Sequence, residues 1–156
     1  MKKEQPPRAF KVYAIKNGTV IDHIPEGKAL ELVDLLNLRK WKKIVTVGIG
    51  FSSKKFGKKD IIKIENKELN PEEVNKVAII APTATLNIIR NFKRVKKEKL
   101  KIPETIEGIL KCPNPACITN HEPVVTKFYQ EKNTSLHVRC RYCERYFNQD
   151  EIEIIK

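Results

Sequence analysis

An α+β fold in two unequal parts is the class this sequence predicts. An antiparallel sheet with two helices comes first, and a small β-rich domain with four cysteines follows. Three observations predict it. Strand-like runs alternate with two segments of helical periodicity over residues 10–92. A charge-rich stretch, 93–103, then breaks the pattern and ends at Pro103. All four cysteines lie beyond it, in a remainder of about 50 residues that is too small to bury a sufficient core unaided.

Residues 10–24, "FKVYAIKNGTVIDHI", read as strand, Asn17-Gly18 turn and strand, because both turn residues accept positive φ. Ala29, Leu30, Leu32, Val33 and Leu36 include the i, i+3, i+4, i+7 set of one helix face, which predicts an amphipathic helix over 26–37. "KIVTVGIGF" (43–51) and "DIIKIEN" (60–66) are β-rich runs joined by a basic, glycine-containing loop. A second helix starts with Asn70 as N-cap, Pro71 at the first helical position and Glu73 placed to close a capping box. Val74, Val77, Ala78 and Ala81 keep its apolar interval, and Pro82 stops it. "TATLNIIRNF" (83–92) is the next strand. This order fits a split βαβ, ferredoxin-like antiparallel sheet with both helices on one face. Residues 93–103 read as a connector. The later β-rich runs are "VVTKFYQEK" (124–132), "SLHVRC" (135–140) and "EIEII" (151–155). The expected domains are 1–100 and 101–156.

The formal net charge of +12 attracts anions: nucleic acid, nucleotides or an acidic partner. Basic runs at 39–43, 54–59 and 93–101 carry much of it, but only Trp41, Phe56 and Phe92 are interleaved with or adjoin them. That is a modest signal for nucleic acid, and solvated lysine surface explains the first two runs equally well. The N-terminal residues have no apolar run of a signal peptide, and no stretch approaches the roughly 18 apolar residues of a membrane span. A cytoplasmic setting is therefore expected, where structural disulfides are rare.

The cysteines, Cys112, Cys117, Cys140 and Cys143, follow the pattern C-x4-C-x22-C-x2-C. Two close pairs on turns, separated by a hairpin, bring four thiolates to the corners of a tetrahedron, the arrangement of a closed structural Zn2+ site. Iron in the same cage and thiol redox chemistry are the lesser alternatives. Pro113, Asn114 and Pro115 supply the longer first knuckle. His121 and His137 lie nearby, but four sulfur ligands leave them as ordinary histidines. A closed site performs no chemistry, and the chain has no glycine-rich phosphate loop, G-x-S-x-G, H-E-x-x-H or unassigned cysteine. Asp22-His23 is an acid–histidine pair, but strand neighbours point to opposite faces and cannot relay a proton directly.

The stretches "GTVIDHIP" (18–25), "GKKDIIKIEN" (57–66), "APTATLNIIRN" (81–91), "CPNPACI" (112–118) and "CRYCE" (140–144) together resemble the regulatory chain of aspartate carbamoyltransferase. The resemblance runs in family order over nearly the whole chain. It implies a nucleotide-binding allosteric domain, then a zinc domain that docks on the catalytic chain. It implies dimers of this chain that join catalytic trimers, and CTP, ATP and UTP as effectors. By the same resemblance Asp22, His23, Lys63, Asn87 and Lys97 match effector-site positions, and Val12, Ala14, Val20 and Ile89 match those lining base and ribose. Tyr13, Phe92, Arg94 and the basic loop at 39–43 depart from the bacterial pattern. Strand alternation alone turns Lys63 away from Ile62 and Ile64, as a phosphate ligand requires. Asp22 suits ribose or an amino group, although simple pairing with a lysine would equally explain it. The alternative for the whole chain is a zinc-ribbon nucleic-acid-binding protein, in which the zinc hairpin itself should be basic and aromatic.

Overall fold

The computed structural model describes residues 14–55, 57–131 and 135–155. The first part is built from β1 (Gly18–Pro25), α1 (Ala29–Leu35), β2 (Val45–Ser53), β3 (Gly57–Glu65), α2 (Pro71–Ile80), β4 (Thr85–Arg90) and β5 (Lys93–Lys99). Its sheet has the order β2-β3-β1-β4-β5, with every neighbouring pair antiparallel. Without β5 this is the predicted split βαβ arrangement. Ile21, Ile62, Ile64 and Leu86 of the sheet pack with Leu32, Val33, Val77 and Ile80 of the helices. Each such buried side chain contributes roughly 1.5–3 kcal/mol.

Helix α2 starts as its sequence dictates. Asn70 Oδ1 accepts from Glu73 N at 2.8 Å, and Glu73 Oε1 accepts from Asn70 N at 3.2 Å. The buried Asp60 ties α1 to the sheet: Oδ2 accepts from Gly27 N and Ala29 N, and Oδ1 accepts from Gly50 N in β2. Helix α1 is shorter than the 26–37 expected, and a 3-10 turn at Leu38–Lys40 continues the chain past Asn37, whose φ is +56°.

Two expectations are corrected. The hairpin at 10–24 is not formed through Asn17-Gly18. Its first strand falls largely outside the described residues, and residues 14–17 are not in a strand. From Gly18 to Ile21, β1 is paired on both sides, with β3 and β4, so no edge remains there for a hairpin partner. Gly18 serves another purpose: its φ is +141°, and a Cβ there would collide with the Ile64 carbonyl oxygen.

The connector at 93–103 is the second correction, because most of it is β5. Asn91 and Phe92, with φ of +51° and +64°, make the tight turn that returns β5 alongside β4. Such a left-handed pair matches the twist of a hairpin without needing glycine. Every residue of β5 is exposed, so no apolar alternation marks it as a strand.

The second part has a four-stranded sheet in the order β10-β9-β8-β6: β6 (Thr105–Glu107), β8 (Lys127–Gln130), β9 (His137–Cys140) and β10 (Tyr146–Asn148). β7 (Leu110–Lys111) and β11 (Glu153–Ile154) form a separate pair. Ile106, Phe128, Leu136, Val138 and Phe147 pack around the cysteines, joined by Ile79 from α2. Ile154 touches both cores, and Gln149 Nε2 donates to the Ile80 carbonyl at 3.2 Å. The C-terminal turn of α2 therefore belongs to both parts.

Candidate functional sites: a metal centre and an effector cleft

The four cysteine Sγ atoms lie within 4.8 Å of one another. Cys112 Sγ is 3.7 Å from Cys143 Sγ, and Cys117 Sγ is 3.9 Å from Cys140 Sγ. A tetrahedron with Zn–S arms of about 2.3 Å has edges of about 3.8 Å. The spacing and the all-sulfur donor set fit one Zn2+.

Two turns hold this geometry. In the first, Cys117 N donates to the Asn114 carbonyl, and Ala116 N donates to Asn114 Oδ1. In the second, Glu144 N donates to the Cys140 carbonyl while Glu144 sits at φ +62°. Asn120 was not singled out by sequence reasoning, yet its Nδ2 donates to the carbonyls of both Cys112 and Asn114, at 2.9 and 2.8 Å. No periodicity points to it; its only signal is a position three residues after the knuckle.

Burial pushes the Cys112 and Cys140 thiols up. Burial also opposes the Cys117 thiolate, but hydrogen bonds from Thr119 and the neighbouring thiols outweigh it and bring Cys117 down to about 7. A bound cation would hold all four as thiolates. His121 and His137 are engaged elsewhere, with the Pro115 carbonyl and Asn148 Oδ1, and neither belongs to the sulfur cluster.

The second site is a cleft of about 300 Å3 on the sheet face opposite the helices. Register assembles its floor. Lys63 of β3 lies opposite Val20 of β1, Val20 opposite Asn87 of β4, and Asn87 opposite Lys97 of β5. Four strands thus present cation, apolar wall, amide and cation in one row. Asp22, His23, Ile61, Thr85, Ile89 and Arg94 complete the lining. Seven expected residues therefore come together: Val20, Asp22, His23, Lys63, Asn87, Ile89 and Lys97. Ala14 is exposed and is not among the lining residues, and Val12 lies outside the described residues. Ile61 and Thr85 were missed; both follow from alternation with Lys63 and Asn87. Lys97 belongs to the edge strand β5 rather than to a connector.

Asp22 and His23 share the cleft, contrary to simple alternation. The pairing of β1 with β3 slips between Ile21 and Ile24, and His23 takes φ +57°. That bulge turns both side chains to one face. Asp22 Oδ1 binds Lys59 Nζ at 2.9 Å, so the carboxylate pairs with a lysine and lines the cleft as well. His23 Nδ1 is 3.1 Å from Thr85 Oγ1.

Burial pushes the Lys63 ammonium down, with Asp22 opposing. His23 is also lowered, first by burial and then by Lys59, Lys97 and Lys55, against Asp22. The Asn87 side chain donates to the Val20 carbonyl at 3.4 Å, while its buried Oδ1 has no hydrogen-bond partner among the described residues. An unmet buried acceptor costs about 1–3 kcal/mol, which a ligand donor would recover.

Taken together, the two sites define a two-part binding protein: a sheet with an anion-attracting cleft, and a cysteine-rich metal-binding module. Residues 10–101 match the family described as "Aspartate carbamoyltransferase regulatory chain, allosteric domain", and residues 104–153 match its "metal binding domain". The chain belongs to the aspartate carbamoyltransferase regulatory chains, the non-catalytic components of a pyrimidine-pathway enzyme. It is 57% identical over 145 residues to the regulatory chain of Pyrococcus horikoshii, covering 92% of this chain and 95% of that one. With the regulatory chain of Pyrococcus abyssi the identity is 54% over the same shares. For Methanothermobacter thermautotrophicus it is 47% over 148 residues, 94% of this chain and 95% of that one. No helix among the described residues is long and apolar enough to cross a membrane.

Proposed function

We propose that this chain senses nucleotides for an aspartate carbamoyltransferase complex in the cytoplasm. Residues 1–100 take CTP, ATP or UTP in the cleft, and residues 101–156, held by Zn2+ on Cys112, Cys117, Cys140 and Cys143, dock on catalytic trimers. The observation that carries this is the row Lys63–Val20–Asn87–Lys97, with its unmet acceptor at Asn87. It offers an apolar slot for a base between cations for phosphate, and Asp22 for ribose hydroxyls. The coupling route is α2, whose end carries Ile79 into the zinc core and Ile80 to Gln149. The experiment is to mix the purified chain with a catalytic trimer. Co-elution, with no carbamoyl transfer by the chain alone, is expected. Turnover by the isolated chain, or elution with nucleic acid instead of trimer, would count against this reading.

The nucleic-acid alternative finds some support on the outer face of the zinc sheet, where Arg139 lies over the Tyr129 ring at 5.2 Å. There, however, Lys127 and Arg139 already pair with Glu107 and Glu131.

The dimer forms through β2. This edge strand, "VTVGIGFSS", has no charged residue and leaves Ile49 exposed. The other edge, β5, carries the lysines that discourage strand pairing. Ile49→Lys should convert a dimer to monomers in sedimentation without unfolding them, since the side chain is already exposed. A dimer that withstands this substitution would place the contact elsewhere.

A further inference from the structure

Asp60 is fully buried, the only carboxylate so placed among the described residues, and it does not line the effector cleft. A buried carboxylate is costly unless its oxygens are well satisfied. Here backbone amides satisfy both: Gly27 N at 2.9 Å and Ala29 N at 3.3 Å donate to Oδ2, and Gly50 N at 3.1 Å donates to Oδ1. Gly27 and Gly50 have φ of +87° and +77°, so the carboxylate organises irregular chain rather than regular strand.

Strand register shows what that irregular chain does. From Ile21 to Ile24 β1 takes three steps while β3 takes two, from Ile62 to Asp60. From Gly48 to Phe51 β2 also takes three against two, from Ile61 to Lys59. Both bulges open against the same stretch of β3, and Asp60 binds the backbone at or just beyond each. The β1 bulge turns Asp22 and His23 together into the cleft and leaves His23 at φ +57°. A left-handed histidine persists only where its surroundings determine it. Thr83 and Thr85 hold it from one side, through the His23 carbonyl and Nδ1. On the other side Ile24 lies opposite Asp60, whose carboxylate fixes Gly27 three residues further on. We infer, resting on the nucleotide reading above, that Asp60 is a positioning residue of the effector cleft. It touches no ligand; it fixes the β1 bulge and so keeps Asp22 and His23 aimed at the nucleotide. Lys63 and Lys97 are placed by pairing with Val20 and Asn87 and need no such support.

The test follows His23 in the full chain, by NMR titration without nucleotide and by calorimetry with CTP and inorganic tripolyphosphate. In the wild type the imidazole is lowered by burial and by Lys59, Lys97 and Lys55, against Asp22; Lys63 and Arg94 line the same cleft. Asp60→Ala should return it toward 6.5 and lower CTP affinity about three- to tenfold. Tripolyphosphate affinity, which needs only the lysines, should stay unchanged, a result that general destabilisation would not give. Gly27→Ala places a Cβ in open space at an exposed position, but on a left-handed φ that strains the turn away from Asp60. It should act in the same direction, and it decides the matter if Asp60→Ala does not fold. Asp60→Asn keeps one acceptor oxygen, enough for Gly27 and Ala29, and should lie nearer the wild type. An unmoved His23 titration or an unchanged CTP affinity in the deciding variant would overturn the inference, as would parallel losses of CTP and tripolyphosphate. A wild-type chain that binds no CTP would remove the nucleotide reading instead. A shifted His23 titration would then still support Asp60 as the residue that holds the bulge.

Discussion

Replacing any one of Cys112, Cys117, Cys140 or Cys143 by alanine is expected to unfold the C-terminal part and abolish docking on the catalytic chain. The core there consists of a few side chains, chiefly Ile106, Leu110, Phe128, Leu136, Val138 and Phe147, gathered around the sulfurs. About 50 residues with so small a core are marginal alone. A structural Zn2+ supplies apparent binding energies of about 10–16 kcal/mol, more than such a domain's entire stability. The N-terminal sheet should persist, because its core of Ile21, Ile62, Ile64, Leu86 and the two helices is formed largely without the zinc domain. It should lose some stability at α2, where Ile79 loses its cover. Chelation should reproduce the substitutions, and so should acid, because protons compete with the metal for the thiolates. Amide spectra together with elemental analysis check this. A folded C-terminal part with no stoichiometric metal would refute it.

Lys63→Ala and Lys97→Ala are each expected to weaken CTP and ATP together. These lysines stand at the two ends of one row, with Val20 and Asn87 between them. A charged hydrogen bond contributes about 1.5–3 kcal/mol, so affinity should fall roughly 10- to 150-fold, with a shallower dependence on salt. Asp22→Ala should weaken binding while leaving most of that salt dependence.

The pH dependence has a definite sign. In the free chain His23 is lowered from its usual value by burial and by Lys59, Lys97 and Lys55. A bound phosphate offsets those cations and raises it, so binding takes up a proton. The contribution of His23 to affinity should therefore grow as pH falls from the raised pKa of the bound state towards the lowered one of the free chain. Calorimetry in two buffers of different ionisation heat, with His23→Asn as control, isolates that proton. Unchanged affinity in both lysine variants would remove the cleft from consideration.

Much of this was legible wherever one local rule decided the outcome. The capping box of α2 joins Asn70 and Glu73, three positions apart, and forms as written. The cysteine spacing specifies a tetrahedral cage regardless of what surrounds it. Lys63 faces away from Ile62 and Ile64, which are fully buried, because the strand period is two. What was misread depended on contacts distant in sequence. Gly18 follows an asparagine, but it is required by the approach of Ile64 rather than by a turn. β5 exists because β4 offers it an edge, and its own side chains bury nothing. The bulge that places Asp22 and His23 together arises from pairing with β3, thirty-odd residues away, which no window around "IDHI" contains.

The most direct test uses the assembled enzyme. Catalytic trimers are combined either with the wild-type chain or with the Lys63→Ala/Lys97→Ala chain, and carbamoyl transfer is followed with and without CTP or ATP. The expected result is that both chains assemble, that nucleotides alter the rate only with the wild type, and that the doubly substituted chain gives an enzyme indifferent to them. Equal modulation of the two assemblies, or a wild-type chain that does not join the trimers, would contradict the account.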